Sequence, residues 1–453
     1  MIKDICFGDT SLTTPGARQD WDTMILAFLA HGTQTPVRLG AVLECEPDFA
    51  MGHAARGLFS LLMGRRELVE TARIARTAAA QALGKGPGSA RERGWCQALD
   101  GWLDSGPSAA IRALDEVIAA NPADTLSFKL AHAIRFILGD APGMRASVEM
   151  VLAAHGPDHP CRGYVRGCHA FALEETGAYD LAERAGFEGL ADAPDDAWGL
   201  HAVAHVYDMT GRPQCGIALI EAHDGAWLHC NNFRYHVWWH KALMHLDQGD
   251  TSRVLGLYDQ KIRVDKTDDY RDIANATSLL TRLELEGVNV GDRWTELADY
   301  SEKRSEDGCL VFADLHYMLA LTGDQREGAA TRLMARMQRD AGHNGEVARI
   351  MADPGVAGAI GLAAFGEGRY DAAFRYLVAA RPRMQTVGGS HAQRDVFERI
   401  TVDAGIRAGR FHEAAGILAE RTRRRAGVED AFAASRMASI AATVRHAMRI
   451  PAQ

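Results

Sequence analysis

A glycine recurs at the ends of helical stretches along nearly the whole chain, and it restricts the fold more than any other feature. Successive glycines of this kind are separated by 33 to 45 residues. Helix–turn–helix repeats have periods of about 34 to 47 residues, and a left-handed glycine commonly follows the last helical residue. The spacing therefore predicts an array of stacked helix pairs. The predicted turns are at Gly106, Gly139, Gly177, Gly211, Gly249, Gly287, Gly323, Gly368 and Gly409.

Residues around some of these turns repeat as well. An aromatic residue lies two positions after Gly177, Gly368 and Gly409, and small residues follow it. Such small residues suit a helix that packs closely on its neighbour. Proline with acidic neighbours, as at Pro122 and Pro194, is typical of the first turn of a helix. We therefore expect helices to begin at these prolines.

The rest of the pattern is helical throughout. Alternating β-branched runs are nearly absent, and apolar residues recur at steps of three and four. We predict an all-α fold, a superhelical solenoid of divergent tetratricopeptide-like helix–turn–helix repeats. It is expected to be one continuous solenoid over 1–453, with soft subdivisions 1–105, 106–290 (histidine-rich) and 291–453. Separate helical bundles are the alternative, but the glycine-rich breaks at 84–89 and 287–291 are short enough to be loops between helices.

Charge and cysteine usage narrow the classes of partner and the location. The formal net charge is −9, which argues against a nucleic-acid or membrane partner, because either would need a basic face. The basic run 421–425 is the local exception, and we expect it to be a solvated helix end. Eight scattered cysteines without a Cys-x-x-Cys pair indicate a reduced chain. With no signal-peptide pattern and no stretch of about 18 apolar residues, we expect a cytoplasmic protein.

Two histidine pairs are the main candidates for function. His201 and His205 lie four residues apart, and so do His236 and His240, so each pair shares one helix face. Trp198 precedes the first pair and Trp239 lies within the second, beside Trp238. If the two helices face one another, the four imidazoles converge. Asp208 continues the face of His201 and His205 and could add an oxygen.

Three interpretations of these histidines remain open. Neutral imidazoles at this spacing make a good bidentate clip for a divalent metal ion. Alternatively, they form a metal-free pocket in which histidine acts as acid, base or hydrogen-bond donor to an anion. Finally, each could satisfy a buried polar group between helices. The glutamate of His-Glu-x-x-His is absent, so the metalloprotease signature is not present.

Asp314 and His316 form a third candidate. Two positions apart on a helix, they point about 200° away from each other and cannot both line one pocket. Asp314 could orient the histidines or act as their acid–base partner. A buried hydrogen bond between helices is the simpler interpretation of Asp314, and we favour it.

The stretch 388–395 is the fourth candidate for function. Ser390 and Gln393 fit a capping box, which explains much of the sequence as a helix start after a flexible Gly-Gly turn. The free backbone N–H groups of that start, with Arg394 in the first turn, could also hold a carboxylate or phosphate. Glycine-rich nucleotide loops and the nucleophile elbow of hydrolases are absent.

Several of these motifs together resemble the tetratricopeptide repeat protein 38 family. The matching stretches are 195–205, the His236-x-x-Trp239-His240 element, Phe312-Ala-Asp314-Leu-His316 and 388–397, with 47–54 and 286–287 also fitting. They follow the family's order from about Thr13 to about Arg425, although 12–15 departs somewhat from its usual pattern. The resemblance implies a superhelical stack of tetratricopeptide-like helix pairs and implies no particular reaction.

The function that fits these observations best is binding of a small ligand or peptide in a concave pocket lined by histidine and tryptophan. The expected ligand-binding positions are Trp198, Trp239, His316, Ser390, Gln393, Arg394 and Asp395. A hydrolase or lyase that uses the four histidines and Asp314, with or without a divalent metal cofactor, is the alternative. A third alternative is a scaffold that binds only protein partners.

Overall fold

The structure is a computed structural model that describes residues 2–86 and 88–449. Its helices come in pairs joined by short turns, and the two helices of a pair pack on each other. The first helices of the pairs are α1 (Pro15–Leu29), α3 (Ala50–Leu62), α5 (Ala90–Ser105), α7 (Thr125–Ile137), α9 (Arg162–Glu175), α11 (Ala197–Met209), α13 (Phe233–Asp247), α15 (Tyr270–Leu285), α17 (Val311–Gly323), α20 (Val356–Gly366) and α22 (His391–Arg407).

The second helices follow them in the chain. They are α2 (Thr35–Cys45), α4 (Arg66–Lys85), α6 (Pro107–Ala120), α8 (Ala141–Val151), α10 (Tyr179–Asp192), α12 (Pro213–Ala222), α14 (Thr251–Leu257), α16 (Arg293–Arg304), α18 (Glu327–Ala341), α21 (Tyr370–Ala380) and α23 (Phe411–Arg424). A short helix α19 (Glu346–Ile350) precedes α20, and α24 (Ala431–Arg449) packs on α23 at the end of the array. The predicted all-α solenoid of tetratricopeptide-like repeats is confirmed.

A short hairpin at the N-terminus is the exception among the described residues. Strand β1 (Ile2–Lys3) pairs antiparallel with β2 (Asp9–Thr10). Between them, the buried carboxylate of Asp4 accepts hydrogen bonds from Arg91 at 2.5 Å and from the indole N–H of Trp21 at 3.1 Å. Arg91 also donates to Asp124 at 2.6 Å, so this buried ion group fastens the hairpin to the first repeats.

The two helix layers differ in burial as their sequences indicate. From α7 to α22, each first helix contacts the first helix of the next pair, and α11, α15 and α17 are buried on almost every side. Second helices bury one face only, and in α4 the buried positions are all alanine. Small residues allow close helix approach, so the layers pack tightly and leave the charged outer face in solvent.

The predicted turn glycines are confirmed with one correction. Gly139, for example, has φ +65°, and the next residue, Asp140, donates its backbone N–H to the carbonyl of Arg135 at 2.9 Å, which caps α7. Gly323 is different because it lies inside α17, and Gln325 takes the left-handed φ of +55°. Gly323 is required by packing instead, since a Cβ there would lie 2.5 Å from the ring of Trp294.

The predicted helix starts were wrong in position. Pro122 and Pro194 lie outside the helices, and the aspartates that follow them are the capping residues. Asp124 accepts the backbone N–H of Ser127 at 3.2 Å, and Asp196 caps α11 in the same way. An N-cap carboxylate satisfies backbone donors that proline cannot, so the acid decides where the helix begins.

The basic run is also not the solvated helix end that we expected. Arg421 and Arg425 are buried, and only the intervening arginines are exposed. Arg421 donates to Asp395 at 2.5 Å and to Asp430 at 2.6 Å, and Arg425 donates to the backbone carbonyl of Asp208 at 2.7 Å. The run therefore joins α23 to other repeats through buried ion pairs.

The superhelix closes on itself and encloses its concave face. Helix α22 contacts α15, and α1 contacts α7. Distant loops also meet: the backbone N–H of Asn231 donates to the carbonyl of His31 at 2.8 Å, and the side-chain amide of Gln385 donates to the carbonyl of Gly139 at 2.8 Å. The concave side, which lies open in an extended solenoid, is here surrounded by helices from both halves of the chain.

One stretch corrects the expectation that no segment is long and apolar enough to cross a membrane. By length and composition alone, Glu346–Gly366 is long and apolar enough to cross a membrane, and 44% of its most apolar 18-residue window is buried. The core helix of a soluble protein passes the same test. The stretch is not one regular helix, because the backbone at Asp353 is extended, with φ −151° and ψ 109°.

Candidate functional site

The candidate site is built on α11 and α13. The Asp196 carboxylate accepts the backbone N–H groups of Trp198 and Gly199 at 3.2 and 3.1 Å, which fixes the first turn of α11 just before its histidines. Helix α13 begins at Phe233, and the side-chain oxygen of Asn231 accepts its backbone N–H at 3.0 Å. The two helices contact each other with their histidine faces turned together.

Four imidazoles meet between these helices. We call His201, His205, His236 and His240 the histidine cluster. The Nε2 atom of His201 lies 2.8 Å from that of His205 and 3.1 Å from that of His236. The Nε2 atom of His240 lies 3.1 Å from that of His236. All four side chains are buried, and their nitrogen atoms lie within 4.8 Å of one another. The convergence that the sequence left open is present.

Two polar side chains contact the cluster from outside. The Nδ1 atom of His236 lies 2.9 Å from the side-chain oxygen of Asn275 on α15. The Nδ1 atom of His205 lies 3.5 Å from a carboxylate oxygen of Glu174 on α9. The Nδ1 atoms of His201, His205 and His240 have no hydrogen-bond partner among the described residues. In the described chain, a hydrogen-bond acceptor on a neighbouring helix therefore orients the ring of His236 alone, and Glu174 lies near His205 without a hydrogen bond to it.

Burial makes the rings of His201, His236 and His240 neutral. It lowers the pKa of His236 to about 3, even though the hydrogen bond to Asn275 opposes the shift. Burial also holds the pKa of His201 and of His240 well below the ordinary value, and the neighbouring imidazoles lower both further. At neutral pH these three rings carry no charge. Each offers one lone pair and one N–H group.

A charged group adjoins the cluster through Glu174. His391 on α22 contacts its other carboxylate oxygen at 2.5 Å. Burial would raise the pKa of Glu174, but His391 and His205 outweigh it and the pKa falls to about 2. Burial would lower the pKa of His391, but Glu174 and Glu175 raise it to about 9. A carboxylate and an imidazolium therefore lie behind His205, and they join α9 to α22.

A cavity of about 770 Å³ borders the cluster on the side of His236. It lies inside the closed superhelix, and its wall comes from α1, α2, α3, α4, α7, α11, α13, α15, α17 and the start of α22. Most of the wall is apolar or aromatic: Phe28, Leu39, Phe59, Leu62, Phe136, Trp198, Phe233, Tyr270, Leu310 and Phe312. Its size falls within the range of about 300 to 1,000 Å³ that is usual for small-molecule sites.

Three buried groups in this wall have polar atoms without a full complement of partners. The ammonium of Lys129 contacts the Cys168 sulfur at 3.5 Å and lies 5.0 Å from the centre of the Trp198 ring. No carboxylate among the described residues comes within 4.0 Å of it. The indole N–H of Trp198 and both ring nitrogens of His132 likewise lack a hydrogen-bond partner in the described chain. Burial lowers the pKa of His132 well below the ordinary value, so that ring is neutral.

The acidic groups that border the cavity are already bound. Asp269 accepts from Arg271 at 2.7 Å. Asp272 accepts from the Thr267 hydroxyl at 2.5 Å and from the Asn232 amide at 3.2 Å, and burial raises its pKa to about 6. These carboxylates are therefore engaged away from Lys129.

Trp198 and Trp239 have different positions. Trp198 lines the cavity and packs on the ring of His31. Trp239 is fully buried behind the cluster, where its ring stacks on His236 and its N–H donates to the Ser278 hydroxyl at 3.1 Å. Of these two predicted ligand-binding tryptophans, the structure places only Trp198 at the cavity.

Asp314 and His316 do not join the cluster. Asp314 is buried in a bidentate ion pair with Arg336, and one of its two contacts measures 3.0 Å. Burial raises the pKa of Asp314 to about 6, although Arg336 opposes the shift. His316 donates from Nδ1 to the carbonyl of Phe312 at 2.7 Å and packs between Phe312 and Phe397. The buried hydrogen bond that the sequence favoured for Asp314 is what the structure contains.

The start of α22 is a capping box, as predicted. Ser390 accepts the backbone N–H of Gln393 at 3.2 Å, and the Gln393 side chain accepts that of Ser390 at 3.0 Å. The backbone N–H of His391 donates to Glu175 at 2.7 Å. The expected anion position at this helix start therefore holds a carboxylate of the chain itself.

The two charged residues of this stretch also have partners within the chain. Arg394 turns back to the carbonyls of Gly388 and Gly389 and lies 3.4 Å from Glu175. Asp395 is bound by Arg421, and that contact holds its pKa well below the ordinary value against the effect of burial. Only Gln393 of the 390–395 residues lines the cavity.

Sequence reasoning did not single out Lys129, Glu174 or Asn275. Each lies on a helix without a motif of its own, and its contact with the site depends on how α7, α9 and α15 are arranged around α11 and α13. A lysine and a glutamate within otherwise apolar helical stretches were the available signal, since such residues are rarely buried without a reason.

No family model matches the chain. A human IFIT1 dimer with PPP-AAAA is similar over 87% of this chain and 95% of that chain, with 13% identity and a TM-score of 0.42. Yeast Tom70 is similar over 99% of this chain and 90% of that chain, with 12% identity and a TM-score of 0.36. Naa15/Naa10 bound to HypK-THB is similar over 91% of this chain but only 64% of that chain, with 12% identity and a TM-score of 0.25. At these values the similarities say nothing about the site, and the fold rests on the helix contacts above.

Proposed function

We propose that the protein binds a small carboxylic acid with an apolar body in the cavity beside the histidine cluster. The carboxylate is the charged group of this ligand. The observation that carries this proposal is the ammonium of Lys129, which lines the cavity while 4% exposed and without a carboxylate in contact among the described residues. A buried charge is costly unless an opposite charge neutralises it. A ligand carboxylate would supply that charge.

The electrostatics around Lys129 support an anion at this position. Asp196 is the internal carboxylate that Lys129 affects, and burial nevertheless raises its pKa to about 7. At neutral pH Asp196 is therefore only partly ionised, and Lys129 lacks a full counter-charge. The unpartnered N–H of Trp198 adds a donor on the same wall. A carboxylate could accept from the ammonium and the indole together, and such charge-assisted bonds are the strong ones.

The remaining wall selects the other end of the ligand. Phe28 and Phe59 stack with their ring centres 4.6 Å apart, and Phe136 packs edge-on against Trp198 at 5.5 Å. Rigid aromatic walls favour an aliphatic chain or an aromatic ring over a sugar or a peptide backbone. A medium-chain fatty acid or an aryl-alkanoic acid combines these properties with the required charge.

We also propose membership of the tetratricopeptide repeat protein 38 family, on the basis of where its motifs lie. The four stretches that carry the resemblance are far apart in the chain, yet each places a residue on this cavity: Trp198, His236, Phe312 and Gln393. Motifs that meet at one place in the fold are more specific than the same motifs scattered over a surface. A common ligand site is the function that this meeting supports.

Calorimetry on the purified protein would test the anion proposal. The panel is decanoate, 4-phenylbutyrate and indole-3-acetate, each against its primary amide, which has a similar shape but no charge. We expect at least one acid to bind with an affinity at least ten times that of its amide. Lys129→Met should remove this preference, and Trp198→Phe should weaken the acid while retaining the aromatic wall. Lys266→Met, at an exposed lysine, is the matched control. Equal binding of acids and amides, or an unchanged preference in Lys129→Met, would refute the proposal.

A further inference from the structure

We propose that the histidine cluster binds one divalent transition-metal ion through its four Nε2 atoms. The site is separate from the anion cavity, whose wall it touches only through His236, and it does not depend on the proposed ligand. The observation that carries the proposal is the convergence of the four rings, whose ligand nitrogens lie within 4.8 Å of one another.

The outer contacts fix the proton of His236. In the orientation found, the Asn275 side-chain oxygen lies 2.9 Å from Nδ1 and can only accept, so Nδ1 carries the hydrogen. The neutral ring then has a lone pair, and no proton, on Nε2. The Nδ1 atom of His205 lies 3.5 Å from the carboxylate of Glu174 but makes no hydrogen bond to it, so this contact does not fix the proton of His205. The Nε2 lone pair of His236 therefore points into the centre of the cluster.

The other rings can supply protons to the centre, because the Nδ1 atoms of His201 and His240 have no acceptor and these rings can carry their hydrogens on Nε2. His201 and His240 can then each donate to the Nε2 atom of His236 at 3.1 Å, so hydrogen bonds hold the four rings together before an ion binds. A divalent cation would replace these hydrogens at the centre, and each ring would then carry its hydrogen on Nδ1 and offer the Nε2 lone pair to the ion.

The dimensions suit such an ion. Zinc binds histidine nitrogen at about 2.0 to 2.1 Å, which in a tetrahedral site places the nitrogens about 3.4 Å apart. The three contacts between Nε2 atoms measure 2.8, 3.1 and 3.1 Å. Opening the cluster by a few tenths of an ångström is within reach of side-chain rotation, because the i, i+4 pairs on α11 and α13 already aim at one point.

The surroundings also fit a metal centre. A carboxylate behind a ligating histidine orients the ring and makes it more basic, and Glu174 has that position behind His205. Glu174 also brings a buried negative charge near the ion. Imidazole nitrogens favour zinc, copper, nickel or iron, whereas magnesium and calcium need oxygen ligands. We therefore assign the site to the first group of metals.

The number of protein ligands indicates whether the ion has a structural or a catalytic role. Four protein nitrogens fill a tetrahedral shell and leave no position for a water or substrate, unlike catalytic zinc sites, which keep one open. The geometry therefore points to a closed centre that fastens α11 to α13, and does not favour the metal-dependent hydrolase. Binding of the ion should accordingly raise the melting temperature of the protein.

The first test uses wild-type protein without a histidine tag, stripped with a chelator and then loaded. Elemental analysis after gel filtration should find one zinc per chain. Cobalt(II) should give the strong visible absorption of tetrahedral coordination, and X-ray absorption should find nitrogen neighbours only. A folded wild-type protein that takes up none of zinc, cobalt or copper, or that gives only the weak bands of octahedral cobalt, would overturn the proposal. These measurements need no variant.

The second test assigns the ion to the cluster by competition against a chromophoric chelator. His240→Phe should weaken zinc binding at least 100-fold. Asn275→Leu removes only the outer acceptor and should weaken it about 10- to 100-fold. His316→Phe, at a buried histidine outside both the cluster and the cavity, is the control and should bind zinc as wild type does. An unchanged affinity in His240→Phe would refute the assignment. Binding of the carboxylic acids is measured separately on the metal-free protein. The outcome for the metal site is therefore independent of the outcome for the anion cavity.

Discussion

The Nε2 atom of His201 lies 3.1 Å from the Nε2 atom of His236, although the two residues are 35 positions apart and on different helices. This contact joins the inner faces of two successive repeats. Because each of these residues has a second histidine four positions further along its helix, one correct contact brings four rings together. Helix α11 contributes two of these rings, and its first turn is capped by the Asp196 carboxylate.

Removing this cap should cost stability. Asp196→Ala deletes the acceptor for the backbone N–H groups of Trp198 and Gly199, so we expect a loss of about 1 to 2 kcal/mol in the free energy of unfolding. Asp196→Asn keeps a side-chain oxygen and should lose less. Urea denaturation followed by circular dichroism would measure both. Equal losses in the two variants would mean that the charge of Asp196, and not its cap, matters.

The repeat architecture could be predicted because its signals are local. A left-handed glycine such as Gly177 (φ +80°) ends a helix by its own backbone freedom, and its spacing shows in the sequence without any tertiary information. The histidine pairs could be predicted for the same reason, since i, i+4 spacing fixes a shared face. The helix pairs, and the shared face of the two histidines within each pair, could thus be predicted from the sequence.

The closure of the superhelix and the surroundings of the cluster could not be predicted. Glu174 and His391 are 217 positions apart, and nothing local to either residue indicates that they meet. That contact depends on the small rotation between successive repeats, summed over many repeats, and no single repeat encodes that sum. Asp314 is a different case, because its partner Arg336 lies on the second helix of the same pair but has no motif of its own.

The ion pair of Asp314 and Arg336 gives a second prediction. Both side chains are buried, so Arg336→Met should leave an unpaired carboxylate and cost about 3 to 5 kcal/mol of stability. Arg336→Met with Asp314→Leu should recover most of that loss, and the double variant should still bind the acids. A double variant that folds but has lost ligand binding would restore the functional interpretation of Asp314. Urea denaturation and calorimetry together decide.

Acid should destabilise the protein through His316, whose pKa burial lowers to about 4. Since the unfolded value is about 6.5, the unfolded chain takes up the proton first, and stability falls as the pH drops from about 6.5 towards 4. The contribution of this one buried ring is on the order of 3 kcal/mol. His316→Phe should lose less stability over that range than wild type or the exposed-site variant His412→Gln. Parallel curves of unfolding free energy against pH would contradict this.

We expect two substitutions at the end of α17 and in the turn after it to change the free energy of unfolding in opposite directions. Gly323→Ala should destabilise by about 1 to 3 kcal/mol, because its Cβ would meet the ring of Trp294 at 2.5 Å. Gln325→Gly should stabilise the fold by about 0.5 to 1 kcal/mol. Glycine removes the backbone strain of a left-handed residue at an exposed position, and this gain exceeds the cost of the entropy that glycine adds to the unfolded chain. Thermal and urea unfolding of the two variants would check both signs. A loss in both would mean that Gln325 makes a contact that outweighs its backbone strain.

A filled cavity should block the proposed ligand while the fold is retained. Ala133 lies one turn after Lys129 on α7 and faces the cavity, so Ala133→Phe extends a ring into space that is already open. We expect the affinity for the best acid of the panel to fall at least tenfold, with a change in unfolding free energy below about 1 kcal/mol, because no packed side chain needs to move. Ala119→Phe, at an exposed position of α6, is the control and should change neither. If Ala133→Phe stays folded and binds the acid as tightly as wild type, the ligand occupies another part of the molecule, and the unpaired charge of Lys129 needs a different explanation.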